Sequence, residues 1–265
     1  MNFCIHPLPA NGARAIWFIF NHDKVMHREG ELPAFADNLA LTLVRFIGNL
    51  GPSPCYVAEL VGEAPPDVTW QTMRQTLLGL PAPYQQALTR AWQLLHFERR
   101  YRYCAHCANP LSAHDNDNGK TCRSCGAVYY PHLSPAIMVA IVRGHEILLA
   151  RSPHFTEGLY SALAGFVEPG ETLEASVHRE VMEEVGIQIE GLSYAGSQQW
   201  PFPHSLMVAF QAHYVSGDIV PQPEEIADAR WFDINQLPLL PPKASIAHWL
   251  IQHTVAKLKK QREGA

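Results

Sequence analysis

The sequence predicts an α/β protein with a mixed sheet and helices packed on it, preceded by an α+β N-terminal region. Apolar runs of strand length recur after residue 131, with turn residues between them. One strongly amphipathic helix interrupts these strands, and four closely grouped cysteines come just before them. Strands that alternate with a central helix are typical of an α/β domain.

Composition and charge exclude several classes of protein. With 265 residues and 47% apolar content, the chain can form one large domain or two modest ones. The formal charge of -5 gives no global attraction to polyanions, although it leaves room for a local basic patch. The apolar runs Ala15–Phe20 and Ala136–Val142 are too short to cross a bilayer, so no membrane role is expected. Because Pro7, Pro9 and Asn11 interrupt the region where a signal peptide needs an apolar core, a cytoplasmic location is expected.

Residues 1–98 are predicted to form the α+β N-terminal domain, which contains no recognisable catalytic motif. Two strands and one helix are expected here, at Ala15–Phe20, Cys55–Glu59 and Tyr84–Tyr101. A basic cluster of Arg99, Arg100 and Arg102 follows the helix. This cluster is either a solvated helix end or a patch that contacts phosphate.

Residues 99–131 form the second predicted domain, a ribbon built on two cysteine pairs. Cys104 and Cys107 form one pair, Cys122 and Cys125 form the other, and 14 residues separate the pairs. This spacing allows four thiolates to surround one zinc ion, which leaves no open coordination position and makes the zinc structural. A hairpin over His114–Lys120 would link the pairs. A redox-active pair or unliganded thiols are the alternatives, and such a ribbon can also dock nucleic acid.

The residues with the strongest chemical signal lie on one predicted helix. Thr172 suits the N-cap and Gly186 the left-handed C-terminal stop, which predicts a helix over Leu173–Val185. A rotation of about 100° per residue places Glu180 and Glu184 at the edge of its apolar face.

Two carboxylates four residues apart repel each other, and partial burial adds a desolvation cost. A divalent cation would compensate both effects at Glu180 and Glu184. Arg179 lies four residues before Glu183, a spacing that allows it to orient that carboxylate. The alternative is an acidic helix face that serves only solvation.

Residues 165–187 match the pattern G-x5-E-x7-R-E-U-x-E-E-x-G-U at every specified position, where U is a bulky aliphatic residue. In this segment the chain resembles the Nudix hydrolase family. The resemblance implies an α/β/α sandwich that holds magnesium or manganese and hydrolyses a nucleotide diphosphate with cation assistance. It implies that the metal ligands are Glu180, Glu184 and the Ala164 carbonyl, and that the catalytic residues are Arg179, Glu180, Glu183 and Glu184.

A second segment, Ser197–Met207, indicates the substrate. Trp200 and Phe202 offer flat apolar surface, while Gln198 and Ser205 offer hydrogen-bonding groups suited to a heterocycle or an amide. A core strand and turn would have the same composition. The segment resembles the S-Q-P-W-P-F-P-x-S motif of the NADH pyrophosphatase branch, whose members also carry a four-cysteine zinc ribbon. The chain departs from that motif at Gln199, where the branch has proline.

The resemblance to this branch, clear over residues 99–260, implies cleavage of NAD(H) to nicotinamide mononucleotide and AMP. It also implies removal of the NAD cap from RNA 5′ ends, a homodimer with shared active sites, and a catalytic domain over residues 132–265. Glu225 would be a third metal-binding carboxylate, with Glu224 as the alternative. The implied substrate-binding residues are Arg74, Asp117, Tyr130, Gln198, Gln199, Trp200, Pro201, Phe202, Pro203, His204, Ser205 and Ala247.

Two rival hypotheses remain open at this point. The first is a broader hydrolase that acts on ADP-ribose or dinucleoside polyphosphates. The second is a non-catalytic zinc-ribbon protein that only binds nucleotides. The carboxylates Glu180, Glu183 and Glu184 argue against the second, because a binding domain has no need of such a cluster.

Overall fold

The computed structural model describes residues 2–5, 14–34, 36, 39–113 and 117–263, with the side chains of 261–263 left out. Pro7, Pro9 and Asn11, and residues 114–116 of the predicted hairpin, lie outside these ranges. The chain forms two compact units, Met1–His132 and Leu133–Ala265. Within the described ranges, no helix combines the length and the apolarity needed to cross a lipid bilayer.

The first unit contains a six-stranded sheet and two helices. Its strands are β1 (Phe3–Cys4), β2 (Ile16–Asn21), β3 (Lys24–Arg28), β4 (Leu41–Leu50), β5 (Ser53–Leu60) and β6 (Val68–Thr72). They are arranged in the order β1-β4-β5-β2-β3-β6, and only β2 and β5 run parallel. The helices are α1 (Met73–Gly79) and α2 (Ala82–Arg100). The predicted helix therefore exists but begins two residues earlier, because Pro83 is tolerated in a first helical turn.

A three-stranded antiparallel ribbon completes the first unit, with strands β7 (Ser112–Ala113), β8 (Lys120–Thr121) and β9 (Val128–Tyr129). Lys120 joins this ribbon to the end of α2. Its ammonium donates to the Tyr101 carbonyl at 2.8 Å and pairs with Glu98 at 2.7 Å. Because the side chain is only 9% exposed, these contacts compensate the burial of a charge.

The second unit contains a mixed six-stranded sheet between two helices. Its strands are β10 (Ser134–Arg143), β11 (Glu146–Arg151), β12 (Leu163–Phe166), β13 (Gln188–Trp200), β14 (Ser205–Ser216) and β15 (Asp228–Asp233). The order is β13-β14-β10-β11-β15, with β12 also paired to β10 and with β10 parallel to β14. The helices are α3 (Leu173–Val185) and α4 (Ile246–Glu263).

Alternate residues of β10 face the two helices, as the two-residue period of a strand requires. Ile137 and Val139 pack in one core with Val181 of α3. Met138 lies in the opposite core with Leu250 of α4. The expected α/β/α sandwich with a mixed sheet is therefore confirmed.

The bounds predicted for α3 are confirmed at both ends. The Thr172 hydroxyl accepts a hydrogen bond from the Ala175 amide at 3.1 Å and caps the N-terminus. Gly186 ends the helix with φ of +73°, in the left-handed region. Local capping chemistry therefore accounts for both ends of this helix.

We expect Gly186→Ala to lower the free energy of unfolding by about 1–2 kcal/mol, because a Cβ is strained at this φ. The space around it is adequate, since the nearest heavy atom would be 3.5 Å away. Urea unfolding measures the change. Gly79→Ala is the matched control: no heavy atom lies within 4 Å of an added Cβ there, and no left-handed φ opposes it. An equal loss of stability in both variants would contradict the backbone explanation.

Candidate functional site

Two carboxylates lie on the inner margin of α3. Glu180 is 8% exposed and Glu184 is 5% exposed, beside the fully buried Val177 and Val181. The helical rotation predicts this placement. Buried acidic side chains are rare without compensation, which marks the pair as a candidate site.

Gly165 on β12 makes room for one of these carboxylates. A Cβ at this position would lie 1.9 Å from Cδ of Glu180 and 2.0 Å from its Oε1. Such distances exclude every side chain, so the carboxylate lies directly against the strand backbone. Ala164, whose carbonyl is one of the expected metal ligands, is the preceding residue of the same strand and pairs with Met138.

Arg179 connects the loop before α3 to the carboxylates. Its Nη1 donates to Glu180 at 3.0 Å and to Glu183 at 2.9 Å. Its Nε and Nη2 bind both oxygens of Glu171 at 2.6 and 3.0 Å, and Nη2 also donates to the Phe166 carbonyl at 2.9 Å. Arg179 thus holds three acidic side chains rather than Glu183 alone.

Glu171 is a site residue that the sequence reasoning did not select, although it occupies a fixed position of the pattern. The hydrogen bonds from Arg179 lower the pKa of Glu171 to about 2, with the Glu168 amide acting in the same direction. A bidentate guanidinium bond keeps this carboxylate ionised and fixes the loop. The invariant spacing of Glu171 and Arg179 in the pattern was the available signal.

Among the carboxylates of the site, that of Glu184 has the pKa farthest from its ordinary value. Burial raises its pKa to about 8, and the charges of Glu180, Glu225 and Glu183 act in the same direction. Its Oε2 is buried and has no hydrogen-bond partner among the described residues. Burial also raises the pKa of Glu180, against the opposing effect of Arg179. Arg179 already contacts Glu180, whereas the unpartnered oxygen of ionised Glu184 needs a cation that the described side chains do not provide.

The loop between β14 and β15 docks on the end of α3 and brings in Glu225. The amides of Val220 and Gln222 donate to the carbonyls of Val185 and Glu184, at 3.0 and 2.9 Å. These carbonyls have no partner inside the helix, so the loop satisfies them. Glu225, rather than Glu224, is the neighbour whose charge raises the pKa of both Glu180 and Glu184.

These residues fit a hard divalent cation. Glu180 and Glu184 are buried one helical turn apart, one buried oxygen of Glu184 lacks a partner, and the charge of the exposed Glu225 raises the pKa of both. Oxygen ligands of this kind are those that magnesium and manganese prefer.

The four cysteines of the ribbon form a second candidate metal centre, since their sulfur atoms all lie within 4.8 Å of one another. The Sγ–Sγ distances are 3.6 Å for Cys104–Cys125 and 3.4 Å for Cys107–Cys122. A tetrahedral zinc with bonds of about 2.3 Å gives edges of about 3.8 Å, so the cluster can hold zinc. A hydrogen bond with the Tyr129 hydroxyl lowers the pKa of Cys104 to about 6, which favours the thiolate that binds metal.

The predicted substrate segment forms the end of β13, a turn and the start of β14. Trp200 pairs with Ser205 across the turn, and the Trp200 ring meets Phe202 edge-on at 5.2 Å. His204 contacts Ser134 at 3.1 Å through Nδ1. The structure therefore brings the following predicted residues together: Gln198, Gln199, Trp200, Pro201, Phe202, Pro203, His204 and Ser205.

Gln198 uses its amide within the protein. Its Oε1 accepts from the Ile246 amide at 2.7 Å, and its Nε2 donates to the Ala244 carbonyl at 2.9 Å. Gln198 therefore fixes the first residue of α4 to β13. Ala247, another predicted substrate residue, is the next residue of α4 and is buried.

Three predicted substrate residues belong to the first unit. Asp117 and Tyr130 lie together: a hydrogen bond with the Asp117 carboxylate raises the pKa of the exposed Tyr130. Asp117 also accepts from the Gly119 amide at 2.7 Å. Arg74 is exposed on α1.

Comparison with known proteins places this geometry in a family context. The model of the NUDIX domain matches residues 132–252. The NAD-capped RNA hydrolase NudC of Chromobacterium violaceum is 50% identical over 261 residues, which cover 98% of each chain. The NudC proteins of Stutzerimonas stutzeri and Deinococcus radiodurans are 46% and 42% identical. Those matches cover 80% and 92% of this chain, and 77% and 89% of the relatives.

We expect Glu184→Gln to stabilise the protein at pH 8 when magnesium and manganese are absent. The folded pKa of Glu184, about 8, lies above the unfolded value of about 4.3. The folded state then binds more protons than the unfolded state between these values, so wild-type stability falls as the pH rises through this window. Since each pKa unit corresponds to about 1.4 kcal/mol, the variant should gain roughly 4 kcal/mol at pH 8, and near pH 4.5 the difference should be below about 1 kcal/mol.

Urea unfolding at the two pH values measures this effect. Adding manganese should stabilise the wild type and have little effect on the variant, because binding to the folded state alone shifts the equilibrium. A variant that is less stable than wild type at pH 8 would show that the Glu184 charge is compensated within the protein.

We expect the purified chain to carry about one zinc ion, and Cys122→Ser to lose it, because four thiolates are needed to close the centre. The first unit should then unfold at a lower temperature, since metal binding contributes to folding. Elemental analysis and thermal unfolding measure both effects. Cys4→Ser, at an exposed cysteine outside the cluster, should keep its zinc. Full zinc content in Cys122→Ser would refute the four-cysteine site.

Proposed function

The chain belongs to the Nudix hydrolase family, and we propose that it splits the diphosphate bond of NAD(H) and removes NAD caps from RNA 5′ ends. The products would be nicotinamide mononucleotide, reduced when NADH is cleaved, and AMP or RNA with a 5′ phosphate. The observation that carries the chemistry is the buried Glu180–Glu184 pair with its unpartnered oxygen. The similarity to NAD-capped RNA hydrolases along nearly the whole chain supports the choice of substrate.

Nudix hydrolases use divalent metals, and the proposed ligands here are Glu180, Glu184, Glu225 and the Ala164 carbonyl. Bound there, magnesium or manganese would polarise phosphoryl oxygens, activate water and neutralise charge on the leaving phosphate. Arg179 keeps Glu180 and Glu183 in place from a single guanidinium nitrogen. It engages Oε2 of Glu183, and we assign Oε1 the acceptance of a proton from the attacking water.

The nucleotide would be held by the segment from Gln198 to Ser205, with the Trp200 and Phe202 rings as its apolar surface. Gln198 would contribute to substrate binding indirectly, because its hydrogen bond to the Ile246 amide positions the start of α4 and therefore Ala247. The paired Asp117 and Tyr130, together with Arg74, are the proposed substrate contacts from the first unit. Gln199 gives this segment a flexible amide where the related motif has a rigid proline.

The remaining proposals concern organisation. We assign residues 1–98 to an N-terminal domain, 99–131 to a structural zinc ribbon and 132–265 to the catalytic domain. We also propose a cytoplasmic homodimer in which a partner completes each active site.

With manganese, the purified protein should release AMP from NADH and NAD, as measured by chromatography. Glu184→Gln should lower kcat at least about 100-fold while it keeps its fold and zinc, because removal of even an outer partner of a metal ligand costs about 10–100-fold. Glu174→Gln is the matched control, an exposed acid in the first turn of the same helix. Unchanged turnover in Glu184→Gln would refute the metal-site assignment.

Competition among equal concentrations of NADH, ADP-ribose and a dinucleoside polyphosphate separates the proposal from a broader hydrolase. Preferential cleavage of NADH supports the proposal, and faster cleavage of ADP-ribose refutes it. The decapping proposal is tested with NAD-capped RNA and fails if that RNA stays intact while NADH is cleaved. Binding of nucleotides without any turnover would instead identify a non-catalytic protein.

A further inference from the structure

One exposed face of α4 combines aromatic and basic side chains. Trp249, His253, Lys257 and Lys260 are spaced by four, four and three residues, and all four are exposed. A rotation of about 100° per residue places them within an arc of about 80°. We call this set the α4 stripe. With a rise of about 1.5 Å per residue, it extends about 16 Å along the helix.

The first half of the α4 stripe is a stacked ring pair. The Trp249 and His253 rings lie 4.9 Å apart and only 14° from parallel. Trp249 remains 41% exposed. Gly196 on β13 allows this position, since a Cβ there would approach the indole to 3.1 Å. An exposed, ordered indole offers a surface on which a base can stack.

The second half of the α4 stripe is positively charged. Among the described residues, neither Lys257 nor Lys260 forms an ion pair, and α4 has no acidic residue before Glu263. Lys257 donates to the Gln211 amide oxygen at 3.2 Å, which keeps its ammonium beside the sheet. This concentration of charge stands out in a chain with a net charge of -5.

Arg99, in the basic cluster at the end of α2, is a weaker candidate for the same role. Arg99 pairs with Glu59 at 2.7 Å and donates to the His22 carbonyl at 3.0 Å. Its side chain is only 20% exposed. Arg99 is therefore committed to contacts within the first unit.

The position of α4 connects the α4 stripe to the proposed substrate segment. Gln198 holds Ile246, the first residue of α4, on the strand that ends at Trp200. The α4 stripe begins three residues later and runs away from that strand end. A chain that continues from a nucleotide bound at this segment can follow the helix.

We propose that the α4 stripe binds the first nucleotides of single-stranded RNA beyond the cap, an inference that rests on the proposed decapping function. Bases stack on the Trp249–His253 pair, and the lysines neutralise backbone phosphates. An anionic membrane fits less well, because the apolar residues of α4, such as Leu250 and Ile251, are buried in the core. Trp249 is the single large apolar residue of the α4 stripe.

The test measures binding and catalysis separately. The probe is a fluorescently labelled ten-nucleotide single-stranded RNA with a 5′ monophosphate, titrated with the full chain and followed by anisotropy at several salt concentrations. The double variant Lys257→Gln/Lys260→Gln should bind roughly tenfold more weakly at low salt, and its salt slope should fall by about 1 to 1.5. Trp249→Ala should weaken binding about 5- to 150-fold through lost stacking. NADH kinetics should be unchanged in both variants.

Lys259→Gln is the matched control. This lysine has the same charge and exposure on the same helix, but it points about 100° away from Lys260. It should retain RNA affinity. If Lys259→Gln lost as much RNA affinity as the double variant, the loss would reflect only the total charge of the protein, and the proposal would be overturned.

Three further results would also overturn it: no RNA binding by the wild type, unchanged binding in the double variant, or displacement of RNA by anionic phospholipid vesicles. The double variant alters only exposed side chains, so it decides the question even if Trp249→Ala fails to fold. The probe carries no cap, so its binding does not depend on NAD hydrolysis. If the protein binds this RNA through the α4 stripe but leaves NADH and capped RNA intact, the proposed function is refuted and the RNA-binding proposal is not.

Discussion

The mutual repulsion of two buried carboxylates is the constraint on which the candidate site depends. Glu180 and Glu184 lie on the inner side of α3, where burial raises the pKa of both. Such an arrangement is unfavourable for folding, and a domain selected only for stability would not contain it. The proposed divalent cation would offset this cost.

The surrounding structure supports this pair from three directions. Gly165 removes the side chain that would otherwise occupy the position of the Glu180 carboxylate. Arg179 fixes the outer carboxylates and the preceding loop. The loop from β14 donates to the free carbonyls at the end of α3, and the charge of its Glu225 raises the pKa of both buried carboxylates. Main-chain pairing thereby makes the end of a helix part of the framework of the candidate site.

The sequence predicted what depends on local chemistry. The cap at Thr172 and the stop at Gly186 are local, so the bounds of α3 and the inward position of its carboxylates followed from them. Contacts between residues far apart in the chain could not be predicted from the sequence. The residues around Gln198 do not indicate that its side-chain amide hydrogen-bonds to the start of α4. Likewise, the residues around Arg99 do not indicate that it pairs with a glutamate 40 residues earlier. Glu171 was missed although the pattern fixes its spacing to Arg179, because the bond between them depends on how the preceding loop meets the helix.

The buried Lys120 has a consequence for engineering by recombination. Its ammonium lies between the ribbon and the end of α2, where it contacts Glu98 and the Tyr101 carbonyl, and Arg45 from β4 contacts Glu98 as well. A ribbon transplanted alone onto another scaffold would expose this lysine and leave behind its counterion. A functional graft must therefore include α2 and Arg45 of β4 as well as the cysteine segment, because both surround the Lys120 ammonium.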